Sequence, residues 1–148
     1  MAQDLACYET RPPCALGDFG AAELALGHAI PAALAELYRL ANGLRGPTNA
    51  GFLYPLIETQ DGETASAVSL TLSLRAETWQ PKFWRGAVAF GDNGVGATWG
   101  IDVETGSVFE WTPEDGEEVT PVNSTIRELW AKTKEWYDQV SRGRAPHA

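Results

Sequence analysis

The sequence predicts an α+β fold in a single domain, and three observations predict it. The chain has 148 residues, the size of one ordinary domain. Apolar residues recur at helical spacing near both ends of the chain. Short apolar runs bounded by turn residues fill the middle. We therefore expect a mostly antiparallel or mixed sheet, with N-terminal helices and a C-terminal amphipathic helix packed on it.

The chain divides into three parts by composition. Residues 1–18 are proline-rich and aperiodic, so we interpret them as an N-terminal arm. Residues 19–141 carry the periodic segments and form the predicted domain. Residues 142–148 contain glycine and proline and are interpreted as a frayed tail.

Two helices are predicted after the arm. The segment 21–28 is rich in alanine and leucine, and Gly27 suits its end. The next helix begins at Pro31, which fits a first helical position. Apolar residues then follow at offsets of three, four and seven, and Asn42-Gly43 ends the helix.

Short strands are predicted in the middle of the chain. Residues 52–57 and 87–90 are apolar runs, and proline at 55 confines the first to an edge or a strand end. Residues 97–103 and 107–111 alternate around a Glu-Thr-Gly turn, which is typical of a hairpin. An acidic loop over 112–120 follows.

The C-terminal helix has the clearest pattern in the sequence. Its apolar residues fall at offsets 0, 3, 4, 7, 10, 11 and 14, which places them on one helical face: Ile126, Leu129, Trp130, Thr133, Trp136, Tyr137 and Val140. Thr125 and Glu128 form a capping box ahead of this stripe.

The sequence predicts a cytoplasmic protein without a membrane-spanning segment. Its N-terminus shows no basic segment followed by an apolar run, and no stretch of about 18 uncharged apolar residues occurs. Cys7 and Cys14 are interpreted as free thiols, with a disulfide as the alternative. No zinc site is expected, because the two histidines, His28 and His147, lie far apart in sequence.

The charge of the chain is concentrated in one block. Eleven Lys and Arg face twenty Asp and Glu, for a net charge of −9, which disfavours nucleic acid and anionic membranes as partners. The stretch from Gly91 to Thr120 holds no Lys or Arg and eight acidic residues: Asp92, Asp102, Glu104, Glu110, Glu114, Asp115, Glu117 and Glu118.

Catalytic chemistry finds little support in the sequence. No Gly-x-Ser-x-Gly elbow is present, and a small hydrolase with paired carboxylates stays as a minor alternative. A calcium ion requires several oxygen ligands, but the spacing of Asp92, Asn93, Asp102 and Glu104 does not match a twelve-residue calcium loop. We expect no enzyme activity, no cofactor and no metal.

Several motifs together resemble the SUKH superfamily of Smi/Knr-type domains. The first is Leu26-Gly27-x-x-Ile30-Pro31-x-x-Leu34-x-x-Leu37-Tyr38-x-x-Ala41-Asn42-Gly43. The second begins at Ala87 and runs Ala-Val-Ala-Phe-Gly-Asp-Asn-Gly-Val-Gly, followed by Ile101-Asp102, Thr105-Gly106, Val108 and Trp111. The closing segment Asn123-Ser-Thr-Ile-x-Glu-Leu also fits, so the resemblance covers residues 22–137.

This resemblance implies an α+β fold and a non-enzymatic role. Bacterial members of the superfamily are typically immunity proteins that bind a cognate toxin, and fungal relatives regulate cell-wall synthesis through protein partners. Many members carry a helix or an irregular crossing around residues 67–77. Here Val68, Leu70, Leu72 and Leu74 alternate with polar residues as in a strand, so both alternatives stay open.

The acidic block and the resemblance together predict a toxin-neutralising protein. An acidic inhibitor attracts a basic, nuclease-type toxin and covers its active site. Trp99 or Trp111 would be the apolar anchor, although each tryptophan in or beside the strands also suits the core. The remaining predicted contact residues are Asp92, Asp102, Glu104 and Glu110, with Glu114, Asp115, Glu117 and Glu118 as a steering rim. The alternative is a regulatory adaptor without a toxin partner.

Overall fold

The α+β prediction is confirmed by the computed structural model of the chain, which describes residues 9–10, 14–45, 51–57, 66–93, 96–122, 125, 126, 128, 129, 131, 132 and 135. The elements are β1 (Glu9–Thr10), α1 (Leu16–Leu26), α2 (Ala32–Tyr38), β2 (Leu44–Arg45), β3 (Gly51–Leu53), α3 (Ala67–Ala76), β4 (Ala87–Asp92), β5 (Thr98–Asp102), β6 (Val108–Trp111) and β7 (Thr120–Val122). A 3-10 helix, Lys82–Gly86, precedes β4. In this part of the chain, no helix combines the length and the apolarity needed to cross a bilayer.

The strands form two antiparallel sheets, ordered β1-β2-β3 and β4-β5-β6-β7. The predicted hairpin is β5-β6, in which Thr98 lies opposite Trp111 and Ile101 opposite Val108. Within the described residues, one backbone hydrogen bond joins the two sheets, from Tyr54 N–H to the carbonyl of Phe90 (2.8 Å).

Both faces of the four-stranded sheet are covered, each by a different core cluster. One face packs against α1 and α2 through β-sheet side chains that include Phe90, Trp99 and Ile101. The other face carries Phe109 and Trp111 and is covered by α3 and the 3-10 helix.

The segment 67–77, for which the sequence allows either a strand or a helix, forms the helix α3 over Ala67–Ala76, with Glu77 as its C-cap. Its cap is Ser66, whose hydroxyl accepts a hydrogen bond from Ser69 N–H (2.9 Å). The buried residues are Ala67, Val68, Thr71 and Leu74, at helical offsets of 0, 1, 4 and 7. The alternation of leucines is misleading, because Leu72 is exposed and polar Thr71 is buried.

The free edge of β4 is covered by side chains of α3. Ala89 N–H donates to the buried hydroxyl of Thr71 (3.0 Å). One turn later, Arg75 donates to the carbonyls of Ala87 (3.0 Å) and Trp84 (2.8 Å). An exposed strand edge invites pairing with another chain, and these bonds satisfy that edge within the domain.

The observed helix bounds differ from the predicted ones in three places, and the first is the end of α2, which lies at Tyr38 with Arg39 as its cap and not at Asn42-Gly43. Helix α1 ends at Gly27 as expected (φ +81°), but it begins at Leu16, inside the segment interpreted as an arm. The carboxylate of Asp18 accepts from Ala15 N–H (3.0 Å) and stabilises this earlier start. Pro31 caps α2 rather than occupying its first position.

The start of the C-terminal helix agrees with the prediction. The Thr125 hydroxyl accepts from Glu128 N–H (3.2 Å), and Ile126 and Leu129 are buried in the main core. The rest of the apolar stripe, including Trp130 and Trp136, lies outside the described residues.

Two glycine substitutions are expected to change stability in opposite directions. A Cβ at Gly100 would lie 2.3 Å from the ring of Phe109, which is held by Phe83 and Trp84. Gly100→Ala should therefore lower the free energy of unfolding by about 1–3 kcal/mol. At Gly20 in α1 a Cβ meets nothing within 4 Å, so Gly20→Ala should raise it by about 0.5–1 kcal/mol. Urea unfolding of both variants checks this pair, and an equal effect of the two would contradict the packing described.

Alkaline pH is expected to destabilise the fold. Burial raises the pKa of the Cys14 thiol to about 11, with the charge of Asp18 adding to the effect. Burial also raises the pKa of Tyr38, and that of Tyr54, whose hydroxyl donates to Asp92 (2.6 Å). The folded state binds these protons more tightly than the unfolded state does. Their contribution to the free energy of unfolding is therefore complete below the pKa values of the unfolded state, and it is lost as pH rises above those values.

Urea unfolding at a series of pH values tests this dependence. The free energy of unfolding should stay level up to about pH 9 and then fall, by up to about 1.4 kcal/mol per pH unit for Tyr38 alone. Tyr54→Phe should show a shallower fall than the parent chain. Equal stability at pH 8 and pH 11 would contradict this account.

Candidate functional site

The acidic block is divided between the two ends of the four-stranded sheet. Asp92 and Trp111 both pair with Thr98, so Asp92, Glu110 and the loop after β6 lie at one end. Asp102 pairs with Ala87 at the other end, followed by Glu104 in the β5–β6 turn. The length of β4 separates the two groups by about 15 Å. The block is therefore not one continuous surface.

Asp92 and Glu110 are bound by neighbouring side chains. Asp92 accepts from the Tyr54 hydroxyl (2.6 Å), which links β4 to β3. Glu110 accepts from the amide of Asn93 (2.8 Å) and from the indole N–H of Trp99 (3.3 Å). Both carboxylates are half-buried. Their hydrogen bonds fix the end of the sheet, which leaves less of their capacity for a partner.

Asp102 shapes the β5–β6 turn. Its carboxylate accepts from the backbone N–H groups of Glu104 (2.9 Å) and Thr105 (2.8 Å). This is the arrangement by which aspartate side chains commonly stabilise turns. Together with the separation between the sheet ends, it shows that Asp92, Asn93, Asp102 and Glu104 cannot surround one calcium ion. Within the described residues, no three His, Cys, Asp or Glu side chains are placed to hold a metal ion.

The acidic loop, Thr112–Glu118, is exposed and held in a defined conformation. Asp115 accepts from Thr112 N–H (2.9 Å), and the Trp111 indole N–H donates to the carbonyl of Gly116 (2.9 Å). Glu117 accepts from the backbone N–H of Lys82 in the 3-10 helix (3.3 Å). The carboxylates of the other two acidic residues, Glu114 and Glu118, form no hydrogen bond or ion pair with the described residues. The loop therefore presents fixed negative charge to solvent.

Neither predicted tryptophan anchor is available to a partner, which corrects the sequence prediction. Trp99 is 5% exposed and Trp111 4% exposed. Trp99 packs edge-on against Phe52 (5.1 Å between ring centroids), and Trp111 packs edge-on against Trp84 (5.6 Å). A buried indole cannot enter a partner's pocket without leaving its own core. Trp111 instead positions the acidic loop through its N–H.

Among the tryptophans that the structure describes, the exposed one is Trp79, which lies in the segment between α3 and the 3-10 helix. Its side chain is 74% exposed, and its indole N–H donates to the carboxylate of Glu77 (3.1 Å). Tryptophan is enriched among the residues that dominate protein interfaces, and an exposed one is uncommon on a monomeric surface. The sequence alone does not distinguish Trp79 from the other tryptophans in or beside the strands.

Beside Trp79 lies a cleft of about 310 Å³ that carries positive charge, here called the cationic cleft. Its cationic lining residues are Arg75, Lys82 and Arg85. Burial lowers the pKa of the Arg75 guanidinium. The net charge of long segments does not reveal this cleft. A shorter window would have shown it, because residues 78–91 hold two cations and no acidic residue.

Comparison with known protein families shows to which family the chain belongs. The model of the SMI1 / KNR4 family (SUKH-1) matches residues 13–138. The chain belongs to this family. The match begins just before α1 and spans all three segments that carried the resemblance. No curated protein matches the sequence.

For this SUKH-1 chain, the family assignment and the geometry agree on a coarse function. The family is consistent with a protein-interaction domain. The described surface offers two features suited to such a role, the exposed acidic loop and the cationic cleft beside Trp79. Glu117 connects the acidic loop to the cationic cleft, because its carboxylate accepts a hydrogen bond from the backbone N–H of Lys82 in the cleft.

Proposed function

We propose that this chain is a cytoplasmic immunity protein that binds a basic, nuclease-type toxin domain and covers its active site. It acts without catalysis, cofactor or metal. Membership of the SUKH-1 family supports a protein partner. The identity of that partner as a basic toxin rests on the charge of the surface described above.

The observation that carries the proposal is the exposed acidic loop. Four carboxylates fall within 114–118, and the loop is held in place by bonds to Trp111 and Lys82. Fixed charge that needs no ordering on binding favours fast and specific association. Nucleases carry positive charge where they contact phosphates, so a rigid acidic loop can occupy that position.

The geometry changes which residues are proposed to make contact. Glu114, Asp115, Glu117 and Glu118 remain as the contact and steering group, next to the end of the sheet that holds Glu110. Asp102 and Glu104 lie at the far end of the sheet and are left outside this surface. The proposed interface is therefore smaller than the acidic block.

Purified proteins test this proposal directly. The toxin domain encoded by the gene next to that of this chain is mixed with increasing amounts of the chain, and its nuclease activity is measured. We expect activity to fall to the background level at a one-to-one ratio, with a single complex in size-exclusion chromatography. Full nuclease activity with excess folded chain would contradict the proposal.

A regulatory adaptor is the second candidate, and the cationic cleft favours it. A cleft lined by Arg75, Lys82 and Arg85 does not require a basic partner. An adaptor would bind its partner without suppressing the partner's activity. The same mixing experiment separates the two functions, because a stable complex that retains nuclease activity supports the adaptor.

A further inference from the structure

The cationic cleft gathers positive side chains in a chain whose net charge is −9. Three of the eleven Lys and Arg residues of the chain line it. Glu77 is the single acidic residue among its lining residues, and its carboxylate accepts the indole N–H of Trp79. Positive groups that converge in a concave site raise the local concentration of anions.

The cations of the cleft make no ion pair in the described part of the chain. The guanidinium of Arg75 donates to the carbonyls of Leu26, Trp84 and Ala87 and contacts His28, so no carboxylate offsets its charge. Lys82 and Arg85 are exposed, and their side chains have no hydrogen-bond partner among the described residues. Since none of the described acidic residues pairs with either side chain, we treat both cations as open to an external anion.

Trp79 adds an exposed apolar side chain that is adjacent in sequence to the residues that line the cleft. It lies in the chain between two cleft residues, Thr78 and Gln80, and its bond to Glu77 restrains the ring. Leu74 and Pro81 give the cleft apolar walls. An anionic group flanked by an apolar side chain fits this combination, because charge-assisted bonds and indole packing can form together.

We propose that the cationic cleft binds a carboxylate side chain of the partner protein, with Trp79 packing against the apolar residue beside it. This inference rests on the proposed function, since it requires a protein partner. The acidic loop would steer the partner, and the cleft would fix the register by accepting one complementary acidic residue. Opposite charges side by side on one surface suppress wrong partners.

The test is a nuclear magnetic resonance titration of the full chain with two peptides. Acetyl-Leu-Glu-Leu-amide carries the proposed carboxylate, and acetyl-Leu-Gln-Leu-amide is its neutral match. We expect the glutamate peptide to shift the Trp79 indole N–H and the amides of Lys82 and Arg85, with affinity at least about ten-fold above the glutamine peptide. Lys82→Gln/Arg85→Gln should remove this preference. Arg39→Gln/Lys132→Gln makes the same charge change outside the cleft and should keep it.

Several results would overturn the inference. Equal affinity for the two peptides, no shift at all, or shifts confined to residues away from the cleft would each exclude a carboxylate site. Inorganic phosphate is titrated as a third arm, and tighter binding of phosphate than of the glutamate peptide would assign the cleft to phosphate-bearing ligands. None of these results bears on the acidic loop, so the proposed function would stand or fall separately.

Discussion

Arg75→Ala is expected to lower the free energy of unfolding by about 2–3 kcal/mol. Its guanidinium connects α3 to three other parts of the fold, since it binds Leu26 at the end of α1, Trp84 in the 3-10 helix and Ala87 in β4. Removing the side chain takes this donor from the carbonyls of Leu26 and Ala87, whereas the carbonyl of Trp84 still accepts from the backbone N–H of Ala87. The site is half-buried, so water replaces part of the loss.

Urea unfolding measures this effect against a matched control. Arg85→Ala removes an exposed arginine from the adjacent 3-10 helix and should change stability by less than about 0.5 kcal/mol. Arg75→Lys should recover little, because one ammonium group cannot replace a planar group that donates in three directions. Similar stability of Arg75→Ala and Arg85→Ala would show that the hydrogen bonds of Arg75 do not hold α3 to the sheet.

Neutralising the acidic loop should slow association with the toxin domain. Glu114→Gln/Glu118→Gln removes two exposed charges that make no bond within the described residues, so the fold should be unchanged. At low salt we expect the association rate constant to fall by about 3–10-fold, and its dependence on ionic strength to become weaker. The dissociation rate constant should change less, because charge at an interface rim acts mainly on encounter.

Stopped-flow mixing measures these rates, and the control removes the same charge elsewhere. Glu104→Gln/Glu128→Gln alters two exposed residues, one of them at the far end of the sheet and the other in the C-terminal helix. It should lower the association rate constant by less than about two-fold. If the two double variants are equally slow, net charge rather than the position of the loop controls association.

The fold was largely predictable because its strongest signals are local. The hairpin β5-β6, the end of α1 at Gly27 and the Thr125 cap all depend on a few adjacent residues. The segment 67–77 was not predictable from alternation, because the buried hydroxyl of Thr71 serves the distant backbone of Ala89. Polar residues that are buried to satisfy another element break the hydrophobic pattern on which sequence interpretation depends.

The candidate site was predictable only in part, because burial and direction depend on packing between distant elements. The sequence shows that the acidic residues cluster along the chain, but the sheet register sends Asp92 and Asp102 to opposite ends. Nothing local distinguishes buried Trp99 from exposed Trp79. Arg75 was missed for the same reason, since its bonds join residues as far apart in sequence as 49 positions.

Growth rescue in cells tests the central claim, toxin neutralisation, most directly. Cells that express the neighbouring toxin domain alone should stop growing, and co-expression of this chain should restore growth. The account predicts weaker rescue by Glu114→Gln/Glu118→Gln when the toxin is expressed in excess, and full rescue by Glu104→Gln/Glu128→Gln. Continued growth arrest, with both proteins present and this chain folded, would contradict the claim that it is an immunity protein for that toxin.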